Sequence, residues 1–422
     1  MQRPVVGASF SHLHFAFCIL NFVLLLLAAS PASAYSVLAH ETVVDAAWDD
    51  QLAPLLRQRF PKTTAADLQR ARAFAYGGSV IQDLGYYPFG NKLFTDLVHY
   101  VRSGDFVEAL LREAQTVDEL AFALGAVAHY ASDNIGHPVA VNKSVPIIYP
   151  KLRAKFGDDV IYAEDPKRHV MVEFAFDVVQ TATGAYLPDA HRQHIGFELA
   201  LPVLERAFAE TYGIAFKELF GDTDMAIGTF RYAVSQLIPE MTRVAWKHKQ
   251  DEIRQLAPSV QQNAFLYSFT RSDYEQAYGT KYRRPGLLAR FLGLLSRIMP
   301  KVGPLAALKF KVPTPEAEKL FAESFRETRN RYRALIVDAR DGRVQVPNTD
   351  FDVGRPPRWG ENAVADGAYV ALLEKLGERN FTNVPVALRR DLAEFFKELD
   401  MPQPDRKLRK KIASIRTLAA GL

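Results

Sequence analysis

The stretch "HYASDNIGHP" places three side chains that can bind metal, His129, Asp133 and His137, at intervals of four residues. Side chains four residues apart on a helix project from the same face. The preceding residues, "TVDELAFALGAVA", are apolar on nearly all sides, so we expect this helix to be buried. A buried carboxylate without a partner is costly, and Asp133 therefore needs a cation or strong hydrogen-bond donors nearby.

A second pair with the same spacing, His169 and Glu173, lies in "DPKRHVMVEFAFDVVQ". This segment predicts an amphipathic helix with Asp165 as its N-cap and Pro166 at its first position. A single pair of this kind is more often structural than metal-binding. It gains weight here because other histidines and acids occur in similar contexts.

Three further candidates lie earlier in the chain. Asp83 occurs in the glycine-rich segment "GGSVIQDLGYYPFGN", which predicts a loop, and alone it would be an ordinary turn aspartate. His99 follows in "NKLFTDLVHYVRSG", a predicted amphipathic helix that we expect Gly104 to close. His40, near the start of a helix, would alone be unremarkable in that position.

The cysteine count limits the choice of metal. The only cysteine, Cys18, lies in an N-terminal segment that we expect to be removed, so thiolate ligands are excluded. Histidine mixed with carboxylates suits zinc, and manganese or iron less well.

The N-terminal segment has the features of a secretory signal peptide. Arg3 is its only charged residue, "FAFCILNFVLLLLAAS" is apolar, and "ASA" provides small residues for cleavage after Ala34. An uncleaved membrane anchor is the alternative. We expect a secreted or periplasmic protein with residues 1–34 removed.

The charge balance disfavours one class of partner. Beyond the predicted signal peptide the chain has 51 basic and 48 acidic residues. So small an excess does not steer nucleic acid over long range, which argues against a general DNA-coating protein.

Helical periodicity dominates the sequence, and we predict an all-α fold. The best strand candidate is "GRVQVPN", and "TPEAEKLFAESFRETRNRYRALIVDAR" predicts a long helix. We predict a catalytic part over 35–255, a connecting region over 256–313 broken by prolines, and a helical C-terminal part with a basic tail over 314–422. The segment "NTDFDVGRPPRW" lacks the pattern of a calcium loop and receives no assignment.

Taken in order, five segments resemble the zinc-dependent phospholipase C family, whose fold is shared with S1/P1-type nucleases. They are "YSVLAHETVVDAA", "GGSVIQDLGYYPFGN", "LVHYV", "GAVAHYASDNIGHP" and "HVMVEFAFD". The resemblance covers roughly 35–177 and implies a multi-helix phospholipase C/P1 nuclease-like bundle, here with a mostly helical C-terminal extension.

The resemblance also implies up to three zinc ions. It assigns one ion to Asp83, His99, His129 and Asp133. It assigns a second ion to His137, His169 and Glu173. It assigns a third to His40, to Asp133 as a bridge, and to the amine and carbonyl of Tyr35, which would be the first residue after cleavage. Two departures accompany it: family members mostly begin with Trp, and His137 follows Asp133 more closely than in the better-known members.

The implied activity is hydrolysis of phospholipid head-group phosphoesters by a metal-bound hydroxide, with Asp83 as the catalytic residue that positions or deprotonates it. Tyr86, Tyr87 and Phe89 are candidates for an aromatic wall around the substrate, or equally for packing against the core. Two amphipathic basic segments, 286–299 and 405–422, are candidates for peripheral membrane contact, although a solvated tail is the simpler interpretation of the second.

Two other functions remain open at the level of the sequence. One is a single-strand nuclease on the same scaffold, which the near-neutral charge does not favour. The other is a zinc-containing module that binds lipid without catalysis.

Overall fold

The computed structural model describes residues 36–87, 89–183, 198–234, 249–252, 254–255 and 309–422. The predicted signal peptide, Tyr35, most of the predicted connecting region and its amphipathic segment 286–299 lie outside these residues. The described residues contain helices and one isolated bridge, between Asp350 and Arg355, but no strand. The all-α prediction is therefore confirmed. None of the described helices is both long and apolar enough to cross a bilayer.

The first part of the chain is a set of packed helices joined by short turns. In chain order they are α1 (Val37–Ala47), α2 (Ala53–Arg59), α3 (Ala65–Val80), α4 (Lys92–Tyr100), α5 (Ser103–Glu113), α6 (Val117–Ile135), α7 (Asn142–Ile148), α8 (Pro150–Phe156), α9 (Pro166–Thr183), α10 (Leu201–Tyr212) and α11 (Thr223–Tyr232). Short 3₁₀ segments, Ile81–Tyr86 and Phe216–Leu219, and π-helical turns, Trp48–Leu52 and Gly136–Val141, connect some of them.

The C-terminal part consists of α12 (Pro315–Arg340), α13 (Ala363–Glu378), α14 (Val386–Phe395), a 3₁₀ turn (Phe396–Glu398) and α15 (Arg406–Ala419). Helix α12 is the predicted long helix, and it lies against α6 and the following π-helical turn. The Tyr332 hydroxyl donates to the Leu124 carbonyl over 3.0 Å, and Arg333 pairs with Asp50 at 2.6 Å. Both parts thus contribute to one hydrophobic core. The boundaries near 255 and 313 stay predictions.

Helices α3 and α6 form the most extensive helix contact among the described elements. Their crossing point has glycine on both sides: a Cβ on Gly78 would overlap the Phe122 carbonyl, and one on Gly125 would overlap the Ala75 carbonyl. The two backbones therefore touch directly. This crossing places the C-terminal end of α3 beside the middle of α6.

Three local predictions are wrong. The segment "GRVQVPN" is not a strand, because its backbone bonds to α5 instead of to another strand; the amide of Val346, for example, donates to Glu108 Oε1 over 2.8 Å. Helix α4 ends at Tyr100 and not at Gly104, since Arg102 itself adopts the left-handed conformation, with φ of 50°, that makes the turn. The predicted glycine-rich loop begins as helix, because its first two glycines belong to α3.

The helix start predicted before His169 is confirmed. Helix α9 begins at Pro166, and the amide of Arg168 donates to Asp165 Oδ1 over 3.0 Å. The tail also forms a helix, α15, whose apolar side packs on α13: Ile415 is buried, and Leu408 and Ile412 are partly buried. Only the basic side of α15 therefore faces outward.

Candidate metal centre

Helix α6 supplies the central pair of the site. His129 and Asp133 are both fully buried, and His129 Nε2 lies 3.1 Å from Asp133 Oδ2. The other ring nitrogen, Nδ1, lies 2.9 Å from the Ser79 carbonyl at the end of α3. This contact favours the tautomer with a proton on Nδ1, which leaves Nε2 free to bind metal.

Asp83 and His99 approach the same point from the other side. Asp83 lies on the 3₁₀ turn after α3, which is fastened to α4 because Thr95 donates to the Gln82 carbonyl over 2.5 Å. His99 Nδ1 contacts the Thr95 carbonyl at 2.9 Å. Its Nε2 then lies 3.4 Å from Asp83 Oδ1 and 3.4 Å from Asp133 Oδ2.

These separations match the edges of a zinc coordination sphere. With ligand bonds of 2.0–2.1 Å, two ligand atoms of a tetrahedral zinc site lie about 3.3 Å apart. His99 Nε2 and His129 Nε2 are 3.3 Å apart, and the carboxylate contacts are 3.1 to 3.4 Å. The oxygens of Asp83 and Asp133 have no regular hydrogen-bond partner within the described residues. Asp83, His99 and His129 therefore form one group that could hold a divalent cation, and Asp133 forms a second such group with His40 and His129.

His40 reaches the second oxygen of Asp133. Its Nε2 lies 3.4 Å from Asp133 Oδ1, and its ring stacks on that of His129 with centroids 4.3 Å apart. The two oxygens of Asp133 thus face different histidines, as a bridging carboxylate would. The start of α1 is held by Asp177, whose Oδ2 accepts from the Leu38 amide over 3.2 Å. Tyr35, the remaining proposed ligand, lies outside the described residues.

His137, His169 and Glu173 form a third group. His137 lies on the π-helical turn that follows α6, so its ring approaches from the end of that helix. His137 Nδ1 lies 2.8 Å from His169 Nε2, which lies 3.2 Å from Glu173 Oε1. His137 Nε2 is 3.9 Å from Asp133 Oδ2, so this group adjoins the other two.

Burial and mutual charge shift the pKa values of these side chains. Burial, and then His129, lowers the pKa of His40 to about 4, and burial lowers that of His169 to about 3. Burial also lowers the pKa of His99, but Asp133 and Asp83 outweigh it and raise the value to about 10. Burial, and then Asp133, raises the pKa of Glu173 well above its usual range. A divalent cation bound nearby would stabilise the ionised forms of Asp83, Asp133 and Glu173.

The three candidate wall aromatics lie in different environments. Tyr86 is buried, with its ring edge-on to His99 at 6.2 Å between centroids. Tyr87 is partly buried and packs on Phe230 at 4.4 Å. Phe89 is 38% exposed. Tyr86 thus lies beside the candidate metal ligands, whereas Tyr87 packs against α11.

The structure adds two residues that sequence reasoning left unassigned, Phe351 and Asp352. The Phe351 ring lies edge-on to His99 at 5.2 Å, and Asp352 Oδ1 lies 3.4 Å from His137 Nδ1. Both belong to "NTDFDVGRPPRW". The available signal was a pair of acids next to an asparagine, and nothing in its spacing pointed to the histidines.

The fold is helical over the described residues, and this cluster contains three groups of side chains that could hold metal ions. The family model described as zinc dependent phospholipase C matches residues 39–222, so this segment of the chain is similar to that family. No curated protein and no solved structure matches the chain. The matched segment contains all the described candidate ligands proposed from the sequence, and it ends before the C-terminal part.

Proposed function

We propose that the protein is a secreted or periplasmic zinc-dependent phosphodiesterase that hydrolyses phospholipid head-group phosphoesters in the manner of a phospholipase C. The observation that carries this proposal is the convergence of Asp83, His99 and His129 on one buried point, where Asp133 also contacts both histidines. The groups His40 with Asp133, and His137 with His169 and Glu173, lie beside it. Three zinc ions account for this set of ligands.

Zinc ions at these positions would supply positive charge to the phosphoryl oxygens and lower the pKa of attacking water. The chain's own residues hold the ions and exclude bulk water, because every described ligand is at most 4% exposed. Asp83 has a further role in the proposal. Its Oδ1 faces His99, and its Oδ2 has no hydrogen-bond partner among the described residues, so it can orient the attacking water or accept its proton.

The test is a product analysis with the exported, zinc-loaded protein. Phosphatidylcholine vesicles and single-stranded DNA are offered separately, and zinc per chain is measured by mass spectrometry. Release of diacylglycerol together with phosphocholine supports the proposal. We expect Asp83→Asn to lower turnover by roughly 10²-fold or more, the usual effect of removing a general base.

The other outcomes are distinct. Release of nucleotides with intact lipid would indicate the nuclease, and phosphatidate would indicate cleavage of the other phosphoester bond. Stoichiometric zinc with neither product would indicate a non-catalytic lipid-binding module. An Asp83→Asn protein with full zinc and full turnover would contradict the role given to Asp83. The N-terminal residue of the exported protein tests cleavage before Tyr35.

Peripheral contact with an anionic membrane is part of the proposal. It rests on the outward basic side of α15, where Arg406, Lys407, Arg409 and Lys410 are exposed. The apolar side is packed on α13, so contact would be electrostatic and would not bury the helix in the bilayer. The segment 286–299 remains a candidate for a second contact.

We expect the triple change Lys407→Glu, Arg409→Glu and Lys410→Glu to weaken binding to phosphatidylserine-containing vesicles at least tenfold, since each basic side chain near such a surface contributes roughly 1 kcal/mol. Vesicle sedimentation measures this, and phosphatidylcholine vesicles are the control. Unchanged binding to the anionic vesicles would exclude α15 from the contact. Charge changes are preferable to deletion, which would expose α13.

A further inference from the structure

The segment from Asn348 to Arg355 lies against the metal-binding side chains although it is more than 120 residues beyond the family-matched part. It is fixed at several points. The amide of Thr349 donates to Ser103 Oγ over 3.0 Å, and the Thr349 hydroxyl donates to Asn134 Oδ1 over 2.5 Å. The amide of Phe351 donates to the His99 carbonyl over 3.2 Å. The next residue, Asp352, is therefore held in a defined position.

The two oxygens of Asp352 have different surroundings. Oδ2 receives the Asn362 amide at 3.3 Å and the Tyr100 hydroxyl at 3.4 Å, while Asn142 holds the backbone carbonyl at 2.7 Å. Oδ1 has no hydrogen-bond partner among the described residues, although the side chain is only 1% exposed. It points to His137 Nδ1, at 3.4 Å. A buried carboxylate oxygen in this state is costly when it is ionised, and a cation would offset that cost.

Asp352 faces the same ring nitrogen of His137, Nδ1, that also faces His169. His137 Nδ1 is also 2.8 Å from His169 Nε2, which in turn is 3.2 Å from Glu173 Oε1. The contact from Asp352 Oδ1 to Nδ1 thus has the length of a ligand-to-ligand edge, about 3.3 Å in tetrahedral zinc. We propose that Asp352 is a fourth protein ligand of the metal centre formed by His137, His169 and Glu173, contributed by the C-terminal part of the chain.

The consequence of this ligand is structural as well as chemical. An ion held by α9, by the turn after α6 and by Asp352 joins the C-terminal part to the family domain. Zinc should then order the segment 348–355 as well as its own ligands.

This inference rests on the second metal centre of the proposed function, and the experiment separates the two. Zinc per chain and zinc affinity are measured by chelator competition for the wild-type protein and for Asp352→Asn, His169→Ala and the double variant. We expect Asp352→Asn to weaken one ion by tens of fold, since even outer partners of metal ligands contribute 10–100-fold to affinity. His169→Ala should lose the same ion, and the double variant should lose no further ion.

The matched control is Asp366→Asn. Asp366 is another fully buried carboxylate of the C-terminal part, but it accepts from Gln403 and from the Gly360 amide. We expect this variant to keep all its zinc. If His169→Ala loses an ion while Asp352→Asn binds all ions with unchanged affinity, the role of Asp352 is wrong and the second centre stands. If His169→Ala also keeps every ion, the second centre itself fails.

A second measurement needs no variant. Hydrogen exchange of the wild-type protein is compared with and without zinc. We expect amides in 348–355 to exchange at least tenfold more slowly with zinc bound, while those in α14 are unaffected. Equal exchange of 348–355 in both states would overturn the proposal even if Asp352→Asn fails to fold.

Discussion

Asp133→Asn is expected to bind only one of three zinc ions and to lose roughly 10³-fold or more of the phosphodiesterase activity. In the wild-type protein the two oxygens of Asp133 face different histidines. Oδ1 is 3.4 Å from His40 Nε2, while Oδ2 is 3.1 Å from His129 Nε2 and 3.4 Å from His99 Nε2. One substitution therefore removes the shared anionic ligand of two proposed ions. Loss of one preorganised group in an active site typically costs roughly 10²–10³-fold, and here two ions depend on it.

Asparagine preserves the shape of Asp133, so packing on α6 should be kept. What changes is the charge, which in the proposed site would stabilise two cations at a fully buried position. The remaining ion is the one assigned to His137, His169 and Glu173. Of these three ligands, His137 contacts Asp133, with 3.9 Å between His137 Nε2 and Asp133 Oδ2. We therefore expect the protein to lose only a modest part of its affinity for this ion.

Zinc per chain, measured by mass spectrometry after dialysis against a weak chelator, and turnover of phosphatidylcholine test this expectation. Asp366→Asn, which removes a buried carboxylate elsewhere, is the control and should retain both zinc and turnover. If the Asp133→Asn protein binds the wild-type amount of zinc, the proposal that Asp133 bridges two ions is wrong. Retained zinc with lost turnover would instead place Asp133 in catalysis alone.

The parts of the site that the sequence could predict are those within single helices. His129 with Asp133, and His169 with Glu173, are four residues apart, and helix geometry alone puts each pair on one face. The grouping of these pairs with Asp83, His99 and His40 came from the resemblance to a family and not from periodicity. The structure brings these side chains together, whereas their roles as zinc ligands stay predictions.

Asp352 could not be found in the same way. Asp352 lies far beyond Glu173 in the sequence. Its approach to His137 depends on hydrogen bonds from Thr349 to α5 and α6 and from Phe351 to His99. No local pattern encodes such tertiary contacts. The tail shows a related limit: its apolar stripe predicted a surface for a membrane, but a stripe does not specify its partner, and here the partner is α13.

The glycines before Asp83 show why composition misleads in a buried helix pair. Glycine usually marks turns, and the segment "GGSV" accordingly predicted a loop. In the structure Gly78 is helical, and the Phe122 carbonyl occupies the space that a side chain would need. At Gly125, the Ala75 carbonyl of the other helix occupies the corresponding space. Close approach of two backbones, and not a turn, accounts for both residues.

Gly125→Ala should consequently destabilise the fold by about 3 kcal/mol and weaken zinc binding as well. The added methyl group would overlap a backbone carbonyl, which no rotamer change can relieve, so α3 and α6 must move apart. His129 lies one turn after Gly125, and its Nδ1 is 2.9 Å from the Ser79 carbonyl on α3. Separation of the helices therefore also releases the contact that orients this ligand.

Urea unfolding of the zinc-loaded and chelated proteins, together with zinc titration, measures both effects. The matched control is Gly367→Ala in α13, where an added Cβ meets no atom within 4 Å. Because alanine is the better helix former, this control should be neutral or stabilised by roughly 0.5–1 kcal/mol. If Gly125→Ala is as stable as Gly367→Ala and binds zinc equally well, the helices do not cross this closely. The alignment of His129 with Ser79 would then need another cause.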